Sequence, residues 1–274
     1  MSAKTLKLTV AYDGAEYCGW QRQPQRRTVQ GELERAWLAI TSEEVTFNAA
    51  GRTDSGVHAA GQVASVDSET TVPVERLADA LNSHLPADML VVAAEHAPAG
   101  FHATHDAHHK RYRYSIYTGR SRPLFCRGFA WHVPAPLDVA AMQRGADLMV
   151  GTHDFASLQS VGSPRENTVR TIFEATVCAG GEGMASPVVG AGQGGAVAIA
   201  PGSPLSESAD LITIDVVGDG FLYHMVRTIA GTLADVGRGR RPPEWVAEAI
   251  AARDRGAAGQ TAPAHGLMLV SVDY

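Results

Sequence analysis

Alternation of apolar and polar positions opens the chain: Leu6, Leu8, Val10 and Tyr12 alternate with Lys7, Thr9 and Ala11, a period of two that predicts a half-buried strand. Thr28 then stands where an N-cap is needed, ahead of a stripe of Leu33, Ala36, Trp37 and Ile40 at helical spacing. The apolar segment Val45 to Ala50 predicts a strand, and so does Gln62 to Val66. Leu77, Ala78, Leu81 and Leu85 predict a second helix that stops before Pro86, and Met89 to Ala94 a further strand. The pattern then repeats in outline. Tyr112, Tyr114 and Ile116 mark a strand, Leu137 to Val150 a helix, and Thr171 to Cys178 with Leu211 to Val217 two more strands. A helix over Phe221 to Val236 turns Leu222, Met225, Val226, Ile229 and Leu233 inward and stops at Gly237. A Pro-initiated helix follows around Trp245 and Ile250, and Leu267 to Val272 closes the sheet. Helices interspersed with strands joined by hairpin-like connections predict an α+β fold of two similar α/β halves on a largely antiparallel sheet. The halves divide as 1–105 and 106–274.

One stretch breaks the pattern. Ala179 to Ala209 holds eight glycines and no aromatic, Lys or Arg residue. Between two strands this predicts an extended, mobile or disordered hairpin tip rather than a domain, and its lack of positive charge argues against an RNA-binding arm.

Composition narrows the class. A chain of 274 residues, 45% hydrophobic, buries a large core. No apolar run approaches the ~20 residues of a membrane helix, and the N-terminus lacks a signal-peptide core, so a cytoplasmic protein is expected. Cys18, Cys126 and Cys178 are few, odd in number and far apart, which predicts free thiols rather than disulfides or paired zinc ligands.

The net charge of −6 hides an uneven distribution. From Ala107 to Leu137 there is no Asp or Glu, while Lys110, Arg111, Arg113, Arg120, Arg122 and Arg127 alternate with Tyr112, Tyr114, Tyr117, Phe125, Phe129 and Trp131. Tyr17 to Gly31 is acid-free as well and carries Arg22, Arg26 and Arg27. Both read as parts of an electrostatic track for nucleic acid. The preference for Arg over Lys suits two-pronged phosphate contacts and stacking on bases.

Candidate chemistry concentrates at residues 51–59, Gly-Arg-Thr-Asp-Ser-Gly-Val-His-Ala. Lying between two predicted strands, Asp54 occupies a turn in which Gly51 and Gly56 permit sharp bends and close approach of a ligand. Arg52 offers a cation that keeps a carboxylate ionised and nucleophilic. On these residues alone, Asp54 serves equally as a turn residue accepting backbone hydrogen bonds.

The nonapeptide resembles the catalytic loop of the TruA family of tRNA pseudouridine synthases, which usually has Ala where Ser55 stands. The likeness extends along the chain. Tyr12-Asp13-Gly14 with Gly19-Trp20-Gln21-Arg22-Gln23 precedes the loop. Phe101-His102-Ala103, Lys110 to Tyr114, Phe221 to Arg227, and Thr261-Ala262-Pro263 with Gly266 to Leu269 follow it in the family's order. The resemblance implies two halves joined around one central sheet with an active cleft between them, Asp54 as catalytic nucleophile, and Tyr112, Arg52, Arg227 and Leu267 as substrate-binding residues. Tyr112 would stack on the target uracil, Arg227 would pair with the catalytic carboxylate, Arg52 would fill the space left by the flipped base or bind phosphate, and Leu267 would pack on that base. It implies a homodimer acting on the anticodon arm of tRNA at uridines 38, 39 and 40, with no metal and no cofactor. Arg22, Lys110, Arg111, Arg120, Arg122 and Arg127 are the candidate RNA contacts.

Against the family, residues 179–209 read as an insertion, and Thr104 stands where Arg is common after Phe-His-Ala. His102, His105, His108 and His109 crowd one segment; the resemblance implies no metal there, and contacts to phosphate or local structure are the expectation. Other readings remain: modification of a different RNA, a non-catalytic RNA-binding module, or a hydrolase using Asp54 on phosphate or ester.

Overall fold

The computed structural model describes residues 3–160, 162, 167–180 and 210–274. In chain order its elements are β1 (Lys4–Tyr12), α1 (Val29–Thr41), β2 (Asn48–Ala49), β3 (His58–Ser68), α2 (Val74–Asn82), β4 (Met89–His96), β5 (His109–Tyr117), β6 (Trp131–His132), α3 (Val139–Asp147), β7 (Gly151–Asp154), β8 (Val169–Ala179), β9 (Leu211–Gly218), α4 (Met225–Gly237), α5 (Trp245–Ala252) and β10 (Leu267–Asp273). The fold is α+β, with largely antiparallel strand pairing. The described chain forms two compact units. One holds the residues up to His108 together with Leu269–Tyr274, and the other runs from His109 to Met268. The linear division at 105/106 does not contain this return of the last strand. Residues 181–209, nearly all of the glycine-rich segment, lie outside the described residues.

In the first unit the strands run in the order β4, β1, β3, β10, with β2 added to β3. Leu6, Leu8 and Val10 are buried, and they pair with Val66, Ala64 and Gln62 of β3. A register shift between Val10 and Tyr12 brings Tyr12 opposite Ala59, and such a bulge re-aims the side chain that follows it. β3 is longer than the apolar segment Gln62–Val66 indicated, and it is buried almost continuously. Of the strand expected over Val45 to Ala50, two residues pair as β2. Thr28 caps α1 as expected, its hydroxyl accepting from the Gly31 N–H. Trp37 of that helix meets the Phe47 ring edge-on at 5.5 Å. α2 has Pro73 at its N-cap and no side-chain cap, so burial of Leu77 and Leu81 carries it, at about 1.5–3 kcal/mol for each side chain.

In the second unit the order is β5, β9, β8, β7, with β6 parallel to β5. Tyr112, Tyr114 and Ile116 of β5 pair with Val216, Ile214 and Ile212 of β9, and all six are buried. α3 is capped by Asp138, whose carboxylate accepts from the Ala141 N–H. Gly237 ends α4 as expected, but packing rather than a left-handed turn accounts for it. A Cβ there would meet Met142 Sδ at 2.7 Å, and the positive φ of 68° falls on Gly239. α4 begins at Met225, four residues later than the apolar stripe suggested. His224, at φ 62° and ψ 5°, is left-handed and cannot join a right-handed helix, so a turn through Tyr223 and His224, closed by the Met225 N–H on the Leu222 carbonyl, leads into it.

Candidate active site

The loop from Ala50 to Val57 joins β2 to β3 and carries Asp54. Its conformation is set by a second loop, residues 13–28, that follows β1. The Trp20 N–H donates to the Thr53 carbonyl at 3.0 Å, and the Gly56 N–H and Ser55 hydroxyl both reach the Tyr17 carbonyl, at 3.3 and 3.1 Å. The Val57 N–H donates to the Asp54 carbonyl at 3.1 Å, closing the turn. On the other side, the Gln62 amide donates to the Gly51 carbonyl at 2.7 Å. The two loops lie so close that only glycine fits at two positions. A Cβ on Gly14 would stand 2.0 Å from the Val57 carbonyl oxygen, and one on Gly19, at φ 85°, 2.6 Å from that of Thr53. Thr53 is buried and Asp54 half-buried, while Arg52 is exposed. The Asp54 backbone is therefore gripped on both sides, which is what a positioned nucleophile requires.

Tyr12, Tyr17 and Thr53, which hold this loop, were not singled out from the sequence. Tyr12 and Thr53 stand in the quoted motifs, but nothing in the sequence pairs them. No periodicity reports that a side chain of residue 12 reaches residue 53.

In the second unit, three stretches separated in sequence converge. Tyr112, 8% exposed, lies edge-to-face on Phe221 at 5.1 Å. Arg227 sits in the first turn of α4, its Nε donating to the Ala262 carbonyl at 2.8 Å while the Ala262 N–H donates back to the Arg227 carbonyl at 3.1 Å. The Tyr114 hydroxyl donates to the Pro263 carbonyl at 2.9 Å, and burial pushes that phenol well up from its ordinary range. A Cβ on Gly266 would meet the Tyr114 ring at 2.6 Å, and Leu267 beside it is buried. Tyr223, within the span Phe221 to Val236 expected to be helical, lies outside the helix, 46% exposed and stacked on His224 at 3.7 Å. His224 Nδ1 shares a 2.8 Å hydrogen bond with the Ser160 hydroxyl. Burial, then the charges of Arg227 and Arg255, push its imidazole down from 6.5 to about 4.

The basic track is acid-free along the chain but not in space. Arg111 pairs with Glu174 at 3.0 Å, Arg22 with Glu34 at 3.2 Å, and Arg113 with its cross-strand partner Asp215 at 2.7 Å. Arg127 donates to the Leu124 carbonyl. Arg120 and Arg122 are exposed, and Lys110 is half-buried. Tyr112 and Tyr114 of the same run are buried. Cross-strand acids escape a linear count because β8 and β9 lie far along the chain from β5. The histidine cluster divides in a similar way: the His102 and His105 rings lie tilted to each other at 4.2 Å, whereas His109 lies edge-on to Phe173. Among the described residues no group of three or more His, Cys, Asp or Glu is arranged to hold a metal ion, and no helix is long and apolar enough to cross a membrane.

A family model described as tRNA pseudouridine synthase matches residues 8–106 and 146–274. The chain belongs to the tRNA pseudouridine synthase family. It is 45% identical over 271 residues to tRNA pseudouridine synthase A of Moorella thermoacetica, covering 98% of this chain and 99% of that protein. It is 42% identical over 266 residues to the protein of the same name from Halalkalibacterium halodurans, covering 97% and 90%. For the Bacillus subtilis protein of that name the figures are 41% over 271 residues, with 98% of each chain covered. As a tRNA pseudouridine synthase the chain is an isomerase. The matched spans contain the Asp54 loop, Arg227 and Leu267, whereas Tyr112 and the stretch from Lys110 to Arg127 fall between them.

Proposed function

We propose that this protein converts uridine to pseudouridine in the anticodon arm of tRNA, at positions 38, 39 and 40, with Asp54 as the nucleophile. The observation that supports the reading is the grip of residues 14–20 on both flanks of Asp54.

The reaction breaks the bond from ribose C1′ to uracil N1, turns the base, and joins C1′ to C5. The C5 proton leaves and N1 gains one, so atoms balance without a redox partner or an energy source. Asp54 attacks C1′ or the pyrimidine ring and is released when the new bond is complete. A uridine within a stem must first be flipped out, at a cost of a few kcal/mol that phosphate contacts and stacking offset. In this reading Tyr112 stacks on the uracil with its hydroxyl toward C5, and Arg227 supplies the positive charge that keeps the carboxylate ionised. Leu267 packs against the base, and Arg52 fills the space it leaves. Exposed Arg120 and Arg122, with Lys110, Arg111, Arg127 and Arg22, supply phosphate contacts. The functional protein is a cytoplasmic homodimer whose two protomers share one tRNA.

The test is incubation of the full-length protein with unmodified tRNA transcripts, followed by carbodiimide-dependent reverse-transcription stops. Stops at uridines 38, 39 or 40 are expected. Stops confined to other positions, or to another RNA, would replace the anticodon-arm assignment.

A further inference from the structure

Tyr17, Arg27 and Asp88 form a hydrogen-bonded cluster in the first unit. Arg27 meets Asp88 with both terminal nitrogens, Nη1 to Oδ2 and Nη2 to Oδ1, each at 2.8 Å. The Tyr17 hydroxyl donates to Asp88 Oδ1, also at 2.8 Å, and the guanidinium lies over the Tyr17 ring at 4.3 Å from its centre. Tyr17 is 2% exposed. Two-pronged, charge-assisted contacts of this kind fix direction as well as distance. Burial by itself would raise the Asp88 carboxyl, but hydrogen bonds from Arg27 and Tyr17 outweigh it and hold the group below the usual carboxylate range. Burial, then the Asp88 hydrogen bond and charge, push the Tyr17 phenol up, so it remains a donor at neutral pH.

The same cluster closes the loop that holds Asp54. The Asp13 N–H donates to the Asp88 carbonyl at 3.0 Å and the Cys18 N–H to the Arg27 carbonyl at 2.8 Å, tying both ends of residues 13–28. Between those ends, the Tyr17 carbonyl receives the Ser55 hydroxyl and the Gly56 N–H, on the two residues that follow Asp54. We propose that Asp88, Arg27 and Tyr17 are positioning residues for Asp54, acting through the Tyr17 carbonyl and not on the RNA. The inference rests on Asp54 being the nucleophile.

The experiment compares full-length Asp88→Asn, Arg27→Lys, Arg27→Gln and Tyr17→Phe with wild type, and with Asp54→Asn as a control. It measures kcat and KM for pseudouridine formation, and tRNA affinity at several salt concentrations. Displacing a reacting group by about 1 Å costs up to about 100-fold in rate. Asp88→Asn is therefore expected to lower kcat about 10- to 100-fold, with KM and affinity within about twofold of wild type. Arg27→Lys, which keeps the charge without the fork, should fall between wild type and Arg27→Gln and leave the salt slope unchanged. Tyr17→Phe keeps the packed ring and should still lose several-fold in kcat, and it decides the matter if Asp88→Asn does not fold. Wild-type kcat in both Tyr17→Phe and folded Asp88→Asn overturns the proposal, as does a loss of rate matched by an equal loss of tRNA binding. An active Asp54→Asn would instead sink the nucleophile assignment. An inactive Asp54→Asn beside unaffected cluster variants would sink the positioning role alone.

Discussion

Tyr12 and Thr53 share a hydroxyl-to-hydroxyl hydrogen bond of 2.7 Å, buried and spanning 41 residues of sequence. The bulge that brings Tyr12 opposite Ala59 makes the contact possible, and it anchors the residue immediately before Asp54. Burial pushes the Tyr12 phenol up to about 12, so it stays protonated through neutral pH.

Tyr12→Phe preserves the ring and leaves the buried Thr53 hydroxyl without this partner. Stability should fall by about 1–3 kcal/mol in urea titration, the cost of an unsatisfied buried hydroxyl. An unchanged midpoint would mean that solvent or relaxation replaces the bond.

His224 makes stability depend on pH in a defined window. Its folded-state value lies near 4, below the ordinary 6.5, so the unfolded chain binds more protons between those two values. The contribution is complete above pH 6.5 and is lost as pH falls toward 4. His224→Asn, which suits the left-handed backbone and retains a group to meet Ser160, should flatten this acid limb in thermal unfolding from pH 7 to 4.5. Parallel profiles for the two proteins would contradict the assignment.

Tyr112 is now expected to respond differently to its two substitutions. Tyr112→Phe keeps the contact with Phe221 and should bind tRNA yet fail in turnover. Tyr112→Ala should weaken binding by about 1–3 kcal/mol of lost stacking. Because the side chain is buried, Ala should also cost about 3–5 kcal/mol of stability. Denaturant titration beside tRNA binding separates these effects, and equal binding losses in both variants would make the residue structural.

Arginines of the same acid-free run should divide by partner. Arg113→Ala breaks a largely buried pair with Asp215 and should destabilise the fold by about 3–5 kcal/mol. Exposed Arg122→Ala should leave stability unchanged while making the salt dependence of tRNA affinity shallower by about one unit. A slope unmoved by Arg120 and Arg122 variants would show that these side chains are solvated surface.

Legibility followed the range of the interactions. The α1 cap at Thr28, the alternation in β1 and the Asp54 turn are local and were readable directly. The start of α4 was misplaced because Leu222 is buried at helical spacing yet belongs to a turn, and only the backbone of His224 shows the break. The strand β3 extends beyond Gln62–Val66 because His58 and Gly61, though buried in it, carry no apolar signal. At the site, Asp54 and its glycines stood out by residue type. Asp88 and Tyr17 did not, since an Asp before a strand and a Tyr in a loop acquire a role only once the fold brings Arg27 against them.

The central claim is that Asp54 performs the chemistry on tRNA, and Asp54→Asn tests it most directly. Wild type and variant are incubated with the same unmodified tRNA, pseudouridine is mapped by carbodiimide-dependent stops, and tRNA affinity is measured in parallel. Asn is nearly isosteric but not nucleophilic, so the variant should give no stops while binding tRNA within about threefold of wild type. Stops at the wild-type rate from Asp54→Asn would contradict the account.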